Sequence, residues 1–513
     1  MDKSTVFPSG SLAGDNPFTQ PMFGLKWTLG PVIMLGITFD HFTENLFRLN
    51  FPPKLSRLKR LLALWSQRDL TPLGKVTIVK SLGLSQFVYL FQVLPDPPVE
   101  FVKELERIIF KFIWAGKPEK IKCLTLYNPT FAGGLGVTHI PGFIRSLKCT
   151  WLKRYLDDSE AVWKLFFDFY LQKYGKKFLF SCNFKGDDIV IDNCFLQDVC
   201  KAWSTFSYYV PTSNFKKQII WNNSHIKVNN EIIYYEFMYS KGVVYVDDLL
   251  DVNNRFLTVN CFKRMFNITY CPFTFLYGIY SAIPKSWRPH FIESDTVEEN
   301  VATNLSAIGR MPSISRGIYK SIVKSLTVPP KAIAKWNREF NLDPGLWNTI
   351  FQIPFSSLRD SKLKYFQFRF LHRILGTNKL LFLMKQRADA SCTFCNQHEE
   401  TLSHLFWDCE LVSNFILDVE QRVLGQQFSL SKQDLFFGYN FCQNHPYNFL
   451  IFNIKYFIYR KRMSQETPNC VEFLHNFKFL LQVEKRLSST STHHPIKFES
   501  LRNAFNFCNT LFD

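Results

Sequence analysis

Four side chains near position 400 carry the sharpest chemical signal in the chain: Cys392-x2-Cys395-x8-His404-x4-Cys409. Three thiolates and one imidazole are the donor set of a closed tetrahedral zinc site, and the two-residue spacer lets both sulfurs of Cys392 and Cys395 turn onto one ion. A catalytic zinc keeps one position open for water, whereas this set fills all four, so the pattern predicts a structural Zn(2+). His398 competes with His404 for the nitrogen position. A knuckle this short is expected to fold only with its metal. The bland alternative is chance spacing among 13 cysteines, against which all four ligands fall within 18 positions.

A second constellation points to different chemistry. Tyr245-Val246-Asp247-Asp248 spells the loop with which reverse transcriptases hold two Mg²⁺ ions between paired carboxylates, and Val243-Val244 before it suits a strand. Such a site needs a third carboxylate on an earlier strand and a nucleotide-binding segment upstream, and neither stands out. The expectation is a turn in which Asp247 or Asp248 caps the next element. Gly133-Gly134-Leu135-Gly136 lacks the lysine and hydroxyl of a phosphate loop, and no nucleophile, base and orienter set emerges. No catalytic residue and no small-molecule substrate are expected.

The cysteines and histidine follow a strongly basic segment. Between Arg359 and Arg387 lie Arg359, Lys362, Lys364, Arg369, Arg373, Lys379, Lys385 and Arg387 against the single acid Asp360, with Tyr365, Phe366, Phe368 and Phe370 interleaved. Leu363, Phe366, Phe370 and Ile374 share one face of a helix, and Lys362, Arg369 and Arg373 an adjacent one. One reading is a solvated face over an aromatic core. The other is a surface where cations track phosphates and exposed rings stack on unpaired bases. Arg460-Lys461-Arg462, ending a helix expected over 449–463, fits the second reading and also a helix-dipole role.

Elsewhere, Leu55, Leu58, Leu61, Leu62 and Trp65 recur at helical spacing from Lys54. Thr71 and Pro72 announce a second helix, and Pro97-Pro98 a third that ends near Ala115-Gly116. Residues 143–174 read helical, Val32–Leu35 and Ile37–Phe39 read as strands, and the tail after Leu487 reads as loosely ordered. The fold class is therefore mostly helical α+β. A formal charge of +18 and a pI near 9.2 favour polyanionic partners. Nothing at the N-terminus resembles a secretion signal, so the cysteines read as buried thiols or metal ligands in a cytoplasmic or nuclear protein. Two uncharged windows, 265–284 and 435–454, carry too many Asn, Gln, Pro and His residues to span a membrane and read as core.

In joint order, several landmarks resemble one family. Leu35 to Phe39 (LGITF), Trp65 to Lys80 (WSQRDLTPLGKVTIVK), Phe112-Ile113-Trp114, Gly133 to Gly136, Phe366 to Met384 with His372-Arg373-Ile374, the array through His404-Leu405-Phe406-Trp407 and Cys409, and Lys455 to Lys461 (KYFIYRK) are similar to the C-terminal part of LINE-type non-LTR retrotransposon reverse transcriptase polyproteins. The resemblance implies palm-end strands at 1–50, a helical thumb-like domain at 51–157, a mixed middle region at 158–340, a basic helix plus zinc-knuckle-like module at 341–430 and a helical tail at 431–513. It implies binding of structured RNA and of primer or target DNA by Arg57, Arg60, Lys75, Lys362, Lys364, Arg369, His372, Arg373, Lys379, Lys385, Arg387, Arg460 and Lys461. In that family the catalytic loop precedes the thumb, so Tyr245 to Asp248 is expected to be coincidental, and endonuclease, fingers and catalytic palm are expected to be missing. The rivals are a retrotransposon remnant or interaction scaffold without its own role, with Met1 an internal start, and an unusual polymerase using Asp247 and Asp248.

Overall fold

A computed structural model describes residues 5–7, 26–28, 30–207, 214–291, 313–424, 429–490 and 498–505. The chain is mostly helical, with only short strands among the described residues. It divides into two compact units, each assembled from separated stretches. One comprises 1–61, 82–107 and 139–325, the other 62–81, 108–138 and 326–513.

In the first unit, strands Val32–Met34 and Ile37–Phe39 pair antiparallel, with Val32 opposite Phe39 and Met34 opposite Ile37. Leu35 and Gly36 form the two-residue turn at φ 52° and 81°, a left-handed pair that matches strand twist. Asn50 ties the next helix to this hairpin, accepting from the Thr38 N–H at 2.9 Å and donating to the Thr38 carbonyl at 2.8 Å. That helix, Asn45–Ser66, begins well before Lys54 and runs through Pro52 and Pro53. Its early turns are held by an aromatic cluster of Phe47, Phe51, Phe87, Phe91 and Phe101, which outweighs the hydrogen bonds the prolines remove. Helices Ile140–Lys148, Thr150–Leu156 and Val162–Leu171 realise the expected helical stretch. A second core gathers around Trp221, whose Nε1 donates to the Val243 carbonyl at 2.7 Å. The window at 265–284 packs here, with Leu276, Ile279 and Tyr280 buried.

The second unit is built on one aromatic core. Trp336 is fully buried, stacks on Phe370 with centroids 5.7 Å apart, and meets Phe436 and Phe437 edge-on. Helices Trp347–Ser357, Ser361–Leu371, Glu410–Val423 and Pro446–Ser464 surround it. The window at 435–454 supplies Leu435, Phe436, Phe437 and Leu450 to Ile454, with Leu435 and Leu450 fully buried. Thr71 caps the helix that opens with Pro72, its hydroxyl accepting from the Gly74 N–H at 3.3 Å. The helical run that this cap opens, Pro72–Val93, is long and apolar enough by length and composition to cross a membrane, and Val76 and Val79 of this unit and Phe87, Leu90 and Phe91 of the first unit are buried along it. The first positions of the expected loose tail, 488–490, instead continue a helix, Cys470–Thr490, and Phe498–Ala504 is helical as well, while 491–497 and 506–513 lie outside the described residues.

Candidate metal centre

Local backbone chemistry brings the four ligands together. From Cys392 the chain turns tightly: the Asn396 N–H donates to the Cys392 carbonyl at 3.0 Å, Asn396 takes φ 56°, and the Phe394 N–H points at the Cys392 sulfur at 3.4 Å. The Cys392 N–H donates to the His398 carbonyl at 2.8 Å, closing a small hairpin whose strands meet at Ser391 and Glu399. His404 opens a single π-helical turn, His404–Asp408, with its N–H on the Thr401 hydroxyl at 3.0 Å. Cys409 then stands at the N-cap of the Glu410–Val423 helix, its carbonyl accepting from Val412 and Ser413.

The result is a convergence of Cys392, Cys395, His404 and Cys409 whose ligand atoms all lie within 4.8 Å of one another. Cys392 Sγ and Cys409 Sγ are 4.0 Å apart, and Cys395 Sγ and His404 Nε2 are 3.3 Å apart. Bonds of about 2.3 Å to sulfur and about 2.0 Å to nitrogen place two sulfurs about 3.8 Å apart, and sulfur and nitrogen about 3.5 Å apart, around a tetrahedral zinc. The residues fit the ion. His404 rather than His398 takes the nitrogen position; His398 is exposed and only its ring neighbours His404, at a centroid distance of 5.4 Å. Without metal the Cys392 thiol donates its proton in a hydrogen bond to Cys409 Sγ, which raises the pKa of Cys392 and lowers that of Cys409. Zinc, when bound, replaces that proton and cross-links the hairpin to the helix N-terminus.

A family described as zinc-binding in reverse transcriptase matches residues 340–415. The match covers all four ligands, and the zinc-binding region is thus one found in reverse transcriptases. Its hairpin is not an isolated knuckle. Cys392, Leu405, Phe406 and Cys409 are buried in the unit's main core, with the Phe406 ring 5.3 Å from that of Phe370, so packing as well as metal holds the loop.

Behind the ligands sits a polar hub that sequence reasoning missed. Glu400 is fully buried, and its carboxylate accepts from Arg462 Nε at 2.9 Å, the Asn378 N–H at 2.8 Å, the Thr393 N–H at 3.0 Å and the Thr393 hydroxyl at 2.6 Å. The Asn378 side-chain oxygen accepts from Arg462 at 2.6 Å and from Arg387 at 2.7 Å. Thr393 follows Cys392 directly, so the hub fixes the metal turn against the Pro446–Ser464 helix. Arg462 was legible only as the end of a basic run. No spacing in the sequence pairs it with Glu400.

The basic residues divide. Phe366, Phe368 and Phe370 are buried, which removes them as stacking planes: the Ser361–Leu371 helix is buried on more than one face, and of its aromatic rings Tyr365 alone is part-exposed. His372 is also buried, its Nε2 2.8 Å from the Gly133 carbonyl, and burial holds its pKa down at about 4. Lys75 is buried with its ammonium over the Phe112 ring, and burial lowers its pKa. Lys364 lies over Phe355, Arg369 between Tyr365 and Tyr459, and Arg373 over Trp336 while pairing with Glu339 at 2.6 Å. Lys362 pairs with Asp69 at 2.8 Å, Lys379 with Glu399, and Lys461 with Glu466 and Glu472 at 2.6 Å each. Lys385, Arg387 and Arg460 are exposed. In the other unit Arg57 and Arg60 are exposed on the Asn45–Ser66 helix. Sequence reasoning also missed a surface beside the hairpin: Phe382 and Leu383 are exposed and line an open groove with Lys385 and Arg387, and Met384 between them in sequence is exposed as well.

Tyr245 to Asp248 folds as the expected turn. Asp248 Oδ2 accepts from the Val244 N–H at 2.8 Å and the Tyr245 N–H at 2.7 Å, capping the short helix Val246–Leu249, and Asp247 reaches Lys217 at 3.8 Å. Among the described residues, the Cys and His set is the group that gathers as a metal site, and these carboxylates are not in it.

Proposed function

We propose that the chain is a nucleic-acid-binding part of a LINE-type non-LTR retrotransposon reverse transcriptase, in which the zinc-binding region orders a surface for RNA and for primer or target DNA. The observation that carries the reading is the adjacency, within one unit, of a complete zinc ligand set to exposed Lys385 and Arg387 flanked by exposed Phe382. Cations neutralise phosphates while an exposed ring stacks on unpaired bases, which together form a single-strand surface. The net charge of +18 supports the same partner class. On this reading the Val32–Phe39 hairpin is a palm end, the Thr71-capped helix belongs to a thumb, and polymerase chemistry resides outside these residues, since Asp248 is spent on its cap. It also places the protein in the reducing cytoplasm or nucleus, in keeping with the twelve free thiols among the described residues.

The test is binding of a structured RNA by zinc-loaded protein across a salt series. Affinity should fall steeply with salt through counterion release, and Phe382→Ala should cost about 1–3 kcal/mol of binding through lost stacking. Salt-insensitive binding, or binding unchanged in both Phe382→Ala and Lys385→Glu, would leave an interaction scaffold as the better reading.

A further inference from the structure

The first unit holds a cavity of about 370 Å³ lined by Arg145, Lys185, Asp187, Lys201, Ser204 and the backbone of Gly186. Its three cations come from three elements: Arg145 from the Ile140–Lys148 helix, Lys201 from the Cys194–Ser207 helix, and Lys185 from the loop that precedes the latter. The loop is fixed rather than draped. Gln197 donates to the Gly186 carbonyl at 2.9 Å and the Ile189 carbonyl at 2.7 Å, and accepts from the Ile191 N–H at 3.0 Å. The Lys185 N–H donates to the Ser224 hydroxyl at 2.6 Å, and Asp188 pairs with Lys227 at 2.7 Å. A Cβ at Gly186 would lie 2.6 Å from Lys201 Cγ and 2.7 Å from its Cα, so only glycine lets the loop sit directly on that helix.

The lining carries three cations and one carboxylate, Asp187, with Asp96 and Asp198 close enough to act on Arg145 and Lys201. Asp96 sits 3.4 Å from the buried Lys148, and Asp198 accepts from the Asp96 N–H at 2.7 Å. Asp187 reaches Lys201 at 3.5 Å, but its side chain is 93% exposed, and an exposed pair of this kind exchanges readily for a better partner. Arg145 has no carboxylate in ion-pair range among the described residues, and a guanidinium presents the fork that matches two phosphate oxygens. We propose that this cavity binds a phosphate group carried on ribose, supplied by a free nucleotide or by the backbone of a nucleic-acid strand. The volume accommodates a phosphate with its sugar.

The experiment uses the full zinc-loaded chain, with adenosine monophosphate and a short oligouridylate as probes in calorimetric titrations. Arg145→Gln and Lys201→Gln should each weaken binding about tenfold, the loss of one charge-assisted contact. Asp187→Asn, at an exposed position that leaves the fold intact, should tighten it severalfold. Lys241→Gln, an exposed lysine elsewhere in the same unit, should leave it unchanged. A loss in Arg145→Gln and Lys201→Gln seen with the monophosphate assigns the cavity to a nucleotide, and a loss seen with the oligomer alone assigns it to a strand. Unchanged affinity in Arg145→Gln and Lys201→Gln, no gain in Asp187→Asn, or an equal loss in Lys241→Gln would overturn the proposal.

Discussion

Two loops in this chain spell metal chemistry, and the fold treats them oppositely. At 392–409 a hairpin, a π-turn and a helix N-terminus aim four soft or borderline donors at one point. At 245–248 two carboxylates stand side by side in sequence, yet Asp248 turns back onto the backbone and Asp247 leans toward Lys217. A metal site requires convergence from several elements, and adjacency along the chain supplies none. Carboxylates are also good helix caps, so a pair of them has an ordinary local use that a cluster of thiols lacks.

The largest effect should come from Cys409→Ser. Bound zinc, read by mass spectrometry of the native protein, should fall from one per chain to near zero. The same substitution should leave the helical content of the chain nearly unchanged, because Leu405 and Phe406 remain packed in the aromatic core. The counterpart at the other loop, Asp247→Asn, should change no metal content at all.

Arg462→Met comes next. It strands the Glu400 carboxylate in the interior, and breaking a buried pair in this way costs about 3–5 kcal/mol. Denaturant unfolding reads the stability loss, and a competition titration should show zinc affinity reduced about 10–100-fold, as for other supports of metal ligands. If zinc affinity is untouched, the hub is a core feature unconnected to the metal.

His372 offers a histidine beside the metal region that serves packing instead. Its folded pKa, about 4, lies below the unfolded value of about 6.5, so the unfolded chain binds the extra proton first as pH drops. The contribution is therefore fully present above about pH 6.5 and is lost as pH falls toward about 4, amounting to on the order of 3 kcal/mol. A denaturation series over that window should be visibly flatter in His372→Asn.

The smallest effect should be Asp248→Ala, which removes a cap worth about 1 kcal/mol. Thermal unfolding checks it, and a change in Mg²⁺ binding on the same substitution would restore the carboxylates as a metal site.

What the sequence revealed follows from how far apart the partners lie. Thr71 and Pro72 cap a helix within a few residues, and the zinc ligands are dense enough to be recognised by spacing, so both were legible. Glu400 and Arg462 are 62 residues apart, and Asn378 is 22 from Glu400, so their hub was not. Periodicity gave the Ser361–Leu371 helix one apolar face, but Phe368 is buried with Phe366 and Phe370 because the helix is enclosed on more than one side. Phe382 has the same side chain and stays exposed, a difference that only tertiary packing sets. The early start of the Asn45–Ser66 helix was hidden by Pro52 and Pro53, whose cost the surrounding phenylalanines outweigh.

The most direct measurement is X-ray absorption at the zinc edge on the purified, reduced full-length chain. Three sulfurs at about 2.3 Å and one nitrogen at about 2.0 Å are predicted, with the nitrogen shell lost in His404→Ala and retained in His398→Ala. A spectrum of oxygen ligands, or a nitrogen shell that disappears with His398 instead, would contradict the site as described.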